Sequence, residues 1–339
     1  MSKPPSVLVI RLSALGDVLF AAPMLEHLRA SGRFGHIAWL VEDKAAGVVR
    51  DFLDVDELVV FPRSKPSAWP GYFAALRRRR DDVVLDLQGN LKSRLQRLFL
   101  RDGRRLGFGP PLSKEGGHRG LDDVFTPPPH ARHRVAANIS LLSELGVEPP
   151  ADVPRPSLTV TDAARRDAER LVAGAQGAGP VVLMAPGTSR FGAFKRWPSE
   201  HYAEVGRALQ RQLDARIVIS GGPGEAELVA GASIAGSVTP PPAGLMNLAG
   251  LVCAADLVIS PDSFPLHLAN HIGTPVVALF GPKNPALTGP YFDRSEVVTA
   301  GVACSPCTLR RCSDPICMQR LAVDDVIAAA HRLLTERSA

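Results

Sequence analysis

The 339-residue sequence is poor in aromatic residues: thirteen Phe, three Trp and three Tyr make up 6% of it. That scarcity argues against stacked rings holding a single-stranded nucleic acid, and no nucleic-acid partner is expected. Long apolar runs are also missing. Nothing approaches the roughly 20 apolar residues that cross a bilayer. The first apolar stretch, Val7 to Leu25, is interrupted by Arg11 and Asp17, so it reads as neither a signal peptide nor a membrane span. The expected location is therefore cytoplasmic. Glycine and proline, thirty of each, follow no triplet period, which excludes a collagen-like chain. Cysteine is sparse, and four of the five lie between Cys304 and Cys317.

What remains is an ordinary globular composition, 45% hydrophobic and 22% charged, with a length that favours two domains. Charge is unevenly placed. Residues 1–150 hold 22 basic and 17 acidic residues, and the remainder holds 17 of each. The whole excess of +5 thus sits in the first half. One explanation is solvated arginine on helix faces, as in Arg77, Arg78, Arg79 and Arg80. The other is a first half that faces an anionic partner: an acidic glycan, a membrane surface or nucleic acid.

Short, near-continuous apolar runs recur at 6–11, 36–41, 57–61 and 82–86, and again at 181–185, 216–220, 256–260 and 275–280. Helical patterns separate them at 18–29, 199–213, 224–234, 263–272 and 323–337. This alternation predicts parallel strands buried on both faces. Residues 102–132, rich in Gly, Pro and Arg, read as irregular. Pro149, Pro150, Pro154 and Pro156 break the pattern. The expected division is a first domain at 1–150, a linker region at 151–178 and a second domain at 179–339. The fold class is α/β, with an open parallel sheet in each domain. A ligand is expected at the carboxyl ends of the strands, in a crevice between the domains.

The candidate motifs follow strands, as that rule requires. In Arg11-Leu-Ser-Ala-Leu-Gly-Asp17, Gly16 permits a tight turn or a close ligand approach. Asp17 is either a helix cap or a carboxylate able to take a proton from a substrate hydroxyl. The turn lacks G-x-G-x-x-G, so no dinucleotide fingerprint is read there. In the second half, Gly187, Thr188 and Ser189 offer amide and hydroxyl donors to a phosphate, and Lys195 a point charge. Lys195 does not follow a glycine at a helix start, so this is not a Walker A loop. Gly221-Gly-Pro-Gly-Glu225 allows a nucleoside to approach, with Glu225 on ribose hydroxyls, unless it is a plain turn. At 260–268 a helix is expected to start beside Asp262 and Ser263, a ready anion site. Within it His267 reads as packed more readily than as catalytic. Cys304, Cys307, Cys312 and Cys317 leave three states open: zinc-bound, reversibly disulfide-linked or reduced.

Taken in order, these segments resemble the ADP-heptose:lipopolysaccharide heptosyltransferases, the family 9 glycosyltransferases. The opening R-L-S-A-L-G-D-V-L is similar to the family's amino-terminal signature. Asp86-Leu-Gln-Gly-Asn-Leu-Lys-Ser93 is similar to its D-x-Q-G-x-x-K-S segment, and Lys195-Arg-Trp-Pro198 to its K-x-W-P element. The stretches 262–268, 280–285 and 288–290 are similar to its carboxyl-domain signature.

The resemblance implies a GT-B fold, two Rossmann-like domains facing a central cleft, with the acceptor on the first and an ADP-sugar, ADP-heptose above all, on the second. It implies inversion at the anomeric carbon with no metal or other cofactor. By position, Asp17 is the general base. Lys195 neutralises the departing diphosphate with Gly187, Thr188, Ser189 and Ser263. Glu225 holds the ribose, and Asp262 and His267 orient the donor. Ser13, Gly16, Arg63, Lys65, Gln88, Lys92 and Ser93 face an acidic lipopolysaccharide-core acceptor, with transient contact to the inner leaflet from a peripheral, cytoplasmic position. One departure stands out: the family usually has Gly where this chain has Phe264, which would bar close backbone approach to diphosphate if φ were positive there. Two other readings share the fold: a nucleotide-sugar epimerase needing no acceptor, and a non-catalytic glycan-binding relative.

Overall fold

The computed structural model describes residues 3–307, 309 and 311–335. The chain forms two compact units, Met1–Pro156 and Ser157–Ala339.

In the first unit the strands are β1 (Ser6–Ile10), β2 (His36–Glu42), β3 (Glu57–Phe61), β4 (Val83–Asp86), β5 (Arg104–Phe108) and β6 (Asp123–Phe125). They make one sheet in the order β3-β2-β1-β4-β5-β6, with every pair parallel. The strand order reverses between β1 and β4, the topological switch point of a doubly wound sheet. Val7, Leu8, Val9 and Ile10 are completely buried because helices cover both faces, and this is why β1 carries no polar alternation.

Three expectations need correction here. Residues 102–132 are not irregular throughout, since they contain β5 and β6. Their glycines serve close strand contact: a Cβ on Gly103 would lie 2.4 Å from the Asp81 carbonyl, and one on Gly107 2.7 Å from that of Asp86. The pattern at 18–29 is two helices, Leu15–Leu19 and Ala22–Ala30, because Pro23 has no amide proton to continue the first. Arg79 is not a solvated arginine. It binds Asp81 at 2.9 Å and Glu57 at 2.5 Å, while Arg77, Arg78 and Arg80 are exposed.

The second unit has β7 (Val181–Met184), β8 (Arg216–Ile219), β9 (Leu257–Pro261), β10 (Val276–Leu279) and β11 (Ser295–Val298). Their order is β11-β10-β9-β7-β8, all parallel. Here the switch point lies between β7 and β9. The helices Ser199–Leu213 and Val323–Thr335 bury Tyr202, Val205, Leu209, Val326 and Ala330 against one core. Residues 336 and 337 of the expected last helix lie outside the described residues. The stretch 151–178 read as a linker region contains the helix Asp162–Val172. It packs on the helix Leu245–Ala254 at Gly250, where a Cβ would be 2.3 Å from the Ala164 carbonyl. Among the described residues no helix is long and apolar enough to cross a membrane.

Candidate active site

In the first unit the chemistry gathers on the turns after β1 and β4, either side of the switch point. Asp17 lies in the first turn of the helix Leu15–Leu19, where Oδ2 accepts the Ala14 amide at 3.2 Å. It is the third residue of the helix and not its N-cap, which is Ala14; from there it binds the cap amide, and its carboxylate stays partly exposed. Oδ1 pairs with the Arg11 guanidinium at 2.8 Å. Gly16 is inside the same helix and not at a left-handed turn position, so the tight turn expected of it is absent. The turn is fixed from β4: Gln88 Oε1 accepts the Leu12 and Ser13 amides at 3.0 and 3.1 Å. Gln88 is thus partly committed to holding the Asp17 turn.

The basic residues converge on a buried acid that the sequence reading missed. Glu42, at the end of β2, accepts Arg63 at 2.9 and 3.0 Å and Lys92 at 2.6 Å. Lys92 also donates to the Ser13 hydroxyl at 3.2 Å. Two cations on one carboxylate leave a net positive charge beside Ser13. Lys65 is exposed on the loop after β3, with no side-chain contact to this cluster. Ser93 is fully buried and exchanges hydrogen bonds with Asn90 across the helix start. It therefore builds the turn and does not face a ligand. Arg134, also missed, is half-buried. Burial lowers its pKa, the nearby Arg11 charge adds to this, and Asp17 opposes it.

Asp86 explains why this turn is stable. Its Oδ1 accepts the Gln88 and Gly89 amides at 3.0 and 2.9 Å, and Oδ2 binds Arg97 Nε at 2.8 Å. Gly89, at φ +59°, closes the turn in the left-handed region.

In the second unit the site spans the carboxyl ends of β8, β7 and β9. Lys195 ends a short helical turn, Arg190–Lys195, before the helix Ser199–Leu213. Its Nζ lies 3.0 Å from Asp262 Oδ2 and also donates to the Asp262 carbonyl. Asp262 Oδ1 accepts His267 Nε2 at 3.3 Å. Burial would raise the Asp262 carboxyl, but the His267 hydrogen bond and the Lys195 charge outweigh it and hold it at about 2. His267 is buried, and its carbonyl accepts His271 Nδ1 at 2.8 Å. Ser263 is the cap residue of the helix Phe264–Ile272, although its hydroxyl meets Ser260 and not the helix amides. Phe264 takes the first helical position with no positive φ, so the backbone conflict expected from losing glycine does not arise.

The other half of this site is organised by Arg196, a residue of the K-x-W-P segment that sequence reasoning passed over. Its Nε and Nη2 donate to the Thr188 hydroxyl and carbonyl, both at 3.1 Å, and Nη2 stands 3.7 Å from Glu225. Glu225 Oε2 accepts the Gly222 amide at 2.7 Å. A Cβ on Gly187 would lie 2.0 Å from that same oxygen, so the loop after β7 rests directly on the Glu225 carboxylate. Thr188 is buried and Ser189 exposed. Trp197 anchors the segment, donating to the Leu321 carbonyl at 3.1 Å. Each of Gly187, Thr188, Lys195, Glu225, Asp262 and His267 belongs to this one arrangement.

All five cysteines carry free thiols. Cys307 and Cys317 both lie at the turn after β10: the Cys307 amide donates to the Pro282 carbonyl at 2.8 Å, and Cys317 packs on Gly281. Burial raises the Cys317 thiol, and the Cys304, Cys307 and Cys312 charges add to this. Among the described residues no group of three or more His, Cys, Asp or Glu is arranged to hold a metal ion.

With this geometry in place, residues 72–316 match the family described as glycosyltransferase family 9 (heptosyltransferase). The lipopolysaccharide core heptosyltransferase OpsX of Haemophilus influenzae is 27% identical over 314 residues, spanning 87% of this chain and 84% of the relative. A family 9 glycosyl transferase from Veillonella parvula superposes with a TM-score of 0.79 at 23% identity, covering 99% of both chains. The E. coli ADP-heptose heptosyltransferase II superposes with a TM-score of 0.77 at 21% identity, covering 98% of this chain and 100% of that one.

Proposed function

Because the chain belongs to glycosyltransferase family 9, the heptosyltransferases, we propose that its two sites carry out inverting transfer of a heptose from ADP-heptose to the inner core of lipopolysaccharide. It is a glycosyltransferase of GT-B architecture, and the first unit binds the acceptor while the second binds the donor. The observation that carries the reading is the meeting of Thr188, Lys195, Glu225 and Asp262 at the carboxyl ends of three adjacent parallel strands. At a switch point, Lys195 offers a cation to a diphosphate and the Glu225 carboxylate an acceptor to ribose hydroxyls, which suits a nucleotide.

In the proposed reaction the acceptor hydroxyl attacks the anomeric carbon on the face opposite the diphosphate. The C–O bond to diphosphate breaks as the new glycosidic bond forms. Asp17, oriented by Arg11, takes the hydroxyl proton, a contribution of roughly 100- to 10,000-fold. Negative charge grows on the leaving diphosphate. Lys195 and the amides after Ser263 stabilise that charge more than they stabilise the ground state. Glu225 accepts hydrogen bonds from the ribose hydroxyls, and Asp262 and His267 fix Lys195 and the donor. Arg63 and Lys92, held on Glu42, bind an anionic group of the acceptor, with Ser13 and Gln88 beside them. Lys65 supplies further positive charge. The acceptor is anchored in lipid, so the enzyme works at the cytoplasmic face of the inner membrane and touches it transiently. No metal is needed for charge neutralisation in this scheme.

The test is nucleotide release from ADP-heptose with and without truncated lipopolysaccharide. Acceptor-dependent ADP release is expected. Conversion of a UDP-sugar without acceptor, or binding without turnover, would overturn the reading.

A further inference from the structure

The helix Leu91–Arg97 is packed inside out. Ser93, Gln96 and Arg97, on its inner face, are buried, with Gln96 taking a hydrogen bond from Tyr72 and Arg97 the ion pair to Asp86. Leu91, Leu95 and Leu98 are 55%, 40% and 70% exposed. They are spaced i, i+4, i+7 and so form one stripe. A helix that buries polar groups and exposes three leucines gains nothing for its own unit by doing so.

The stripe has a basic rim. Arg94 lies within one helical turn of Leu91 and Leu98. The Arg77 guanidinium sits 4.8 Å over the ring of Phe99, which stacks on Phe73 with centroids 4.1 Å apart. Arg101 is exposed just beyond Leu98. The acidic residue nearby, Asp102, is already paired with Arg80 at 2.7 Å. Leucines with Arg94 among them and Arg101 just beyond match the interface of an anionic bilayer, where apolar groups enter the acyl boundary and cations meet headgroups. A symmetric contact with a second copy would instead set these arginines against one another.

We propose that the Leu91–Leu95–Leu98 face, with Arg77, Arg94 and Arg101, docks the enzyme on an anionic lipid surface. The inference rests on the transferase reading for its purpose: Lys92, in the first turn of the same helix, is about 9 Å along the axis from Leu98, so docking this face brings the acceptor-binding cations to the membrane surface.

The experiment is co-sedimentation of the full chain with vesicles of phosphatidylcholine alone or with phosphatidylglycerol, without any sugar donor. Wild type binds the anionic vesicles, and raised salt weakens this. L95E/L98E lowers the partition coefficient at least tenfold, and R77Q/R101Q lowers it with a flatter salt dependence. Both variants keep wild-type turnover on a deacylated, water-soluble acceptor. Circular dichroism checks their folding, and L98Q alone, at the most exposed position, serves if the double variant misfolds. Absence of binding by wild type, or equal binding by the leucine variants, overturns the proposal. So does a wild-type dimer in light scattering that L95E/L98E splits. Vesicle binding is read without turnover, so its failure leaves the transfer reading standing, and absent transfer leaves the lipid result standing.

Discussion

Lys195 and Asp262 form the ion pair on which the second unit's site is built, with Nζ 3.0 Å from Oδ2. The lysine is held where β7 and β9 end, and in the proposed reaction it exchanges part of this pairing for a diphosphate. Lys195→Ala should weaken ADP binding by about 10- to 100-fold, the usual worth of a charge-assisted contact. It should reduce kcat as well, since charge on the diphosphate grows toward the transition state. Calorimetric titration with ADP beside steady-state kinetics measures both. An unchanged ADP affinity would reject the phosphate role.

Asp262, held by His267 and Lys195, predicts a pH dependence of stability. The Asp262 carboxyl is held at about 2 against its ordinary value of 3.8. Its folded pKa is depressed, so the contribution is fully present above the unfolded value and is lost as pH falls from about 4 through about 2. The size is on the order of 2 kcal/mol. Urea unfolding of wild type and Asp262→Asn should differ at pH 6 and draw together by pH 2.5. A gap that stays constant across this range would refute the linkage.

Asp17→Asn should cut turnover by roughly 100-fold or more while leaving ADP affinity within error, because the carboxylate's proposed task is proton removal and not donor binding. A single-turnover assay with saturating donor reads the chemical step. Near-wild-type turnover would remove Asp17 from the role of base.

The sequence carried the parallel sheets because β1, β7 and β10 are apolar runs with no competing pattern. The residues after β1, β7, β8 and β9 carried Asp17, Lys195, Glu225 and Asp262. Strand β5 was hidden because Gly103 just before it and Gly107 within it, needed for close approach to Asp81 and Asp86, read as loop composition, and β6 is only three residues long. Glu42 and Arg196 were missed for a different reason. Glu42 binds Lys92, 50 residues away, and Arg196 joins Thr188, eight residues back, to Glu225 on another loop; no local spacing encodes such contacts. Ser93 shows the reverse case: its motif position pointed to a ligand, and its buried hydroxyl serves Asn90.

Gly187→Ala tests how tightly the loop after β7 sits on Glu225. The new methyl would meet the carboxylate at 2.0 Å, so Glu225 or the loop must move. ADP affinity should fall at least tenfold, while pyrophosphate, which lacks the ribose proposed to meet Glu225, should bind with little change. Equal losses for both ligands would mean that Gly187 serves the phosphates instead.

Arg97 and Asp86 supply a test of the turn that carries Gln88 and Lys92. Both side chains are almost completely buried. Burial pushes the Asp86 carboxyl up and the Arg97 guanidinium down, and each is partly restored by the other. Removing one partner strands the other charge in a dry site. Arg97→Leu should therefore cost about 3–5 kcal/mol in urea unfolding. It also frees the carbonyls of Gly117, Arg119 and Gly120 that Arg97 binds. Combining it with Asp86→Asn should recover only part of the loss. The amide oxygen can still accept from Gln88 and Gly89 without a buried charge, but those carbonyls stay without their donor. A single variant within about 1 kcal/mol of wild type would show that water reaches Asp86, and that the turn does not depend on this pair.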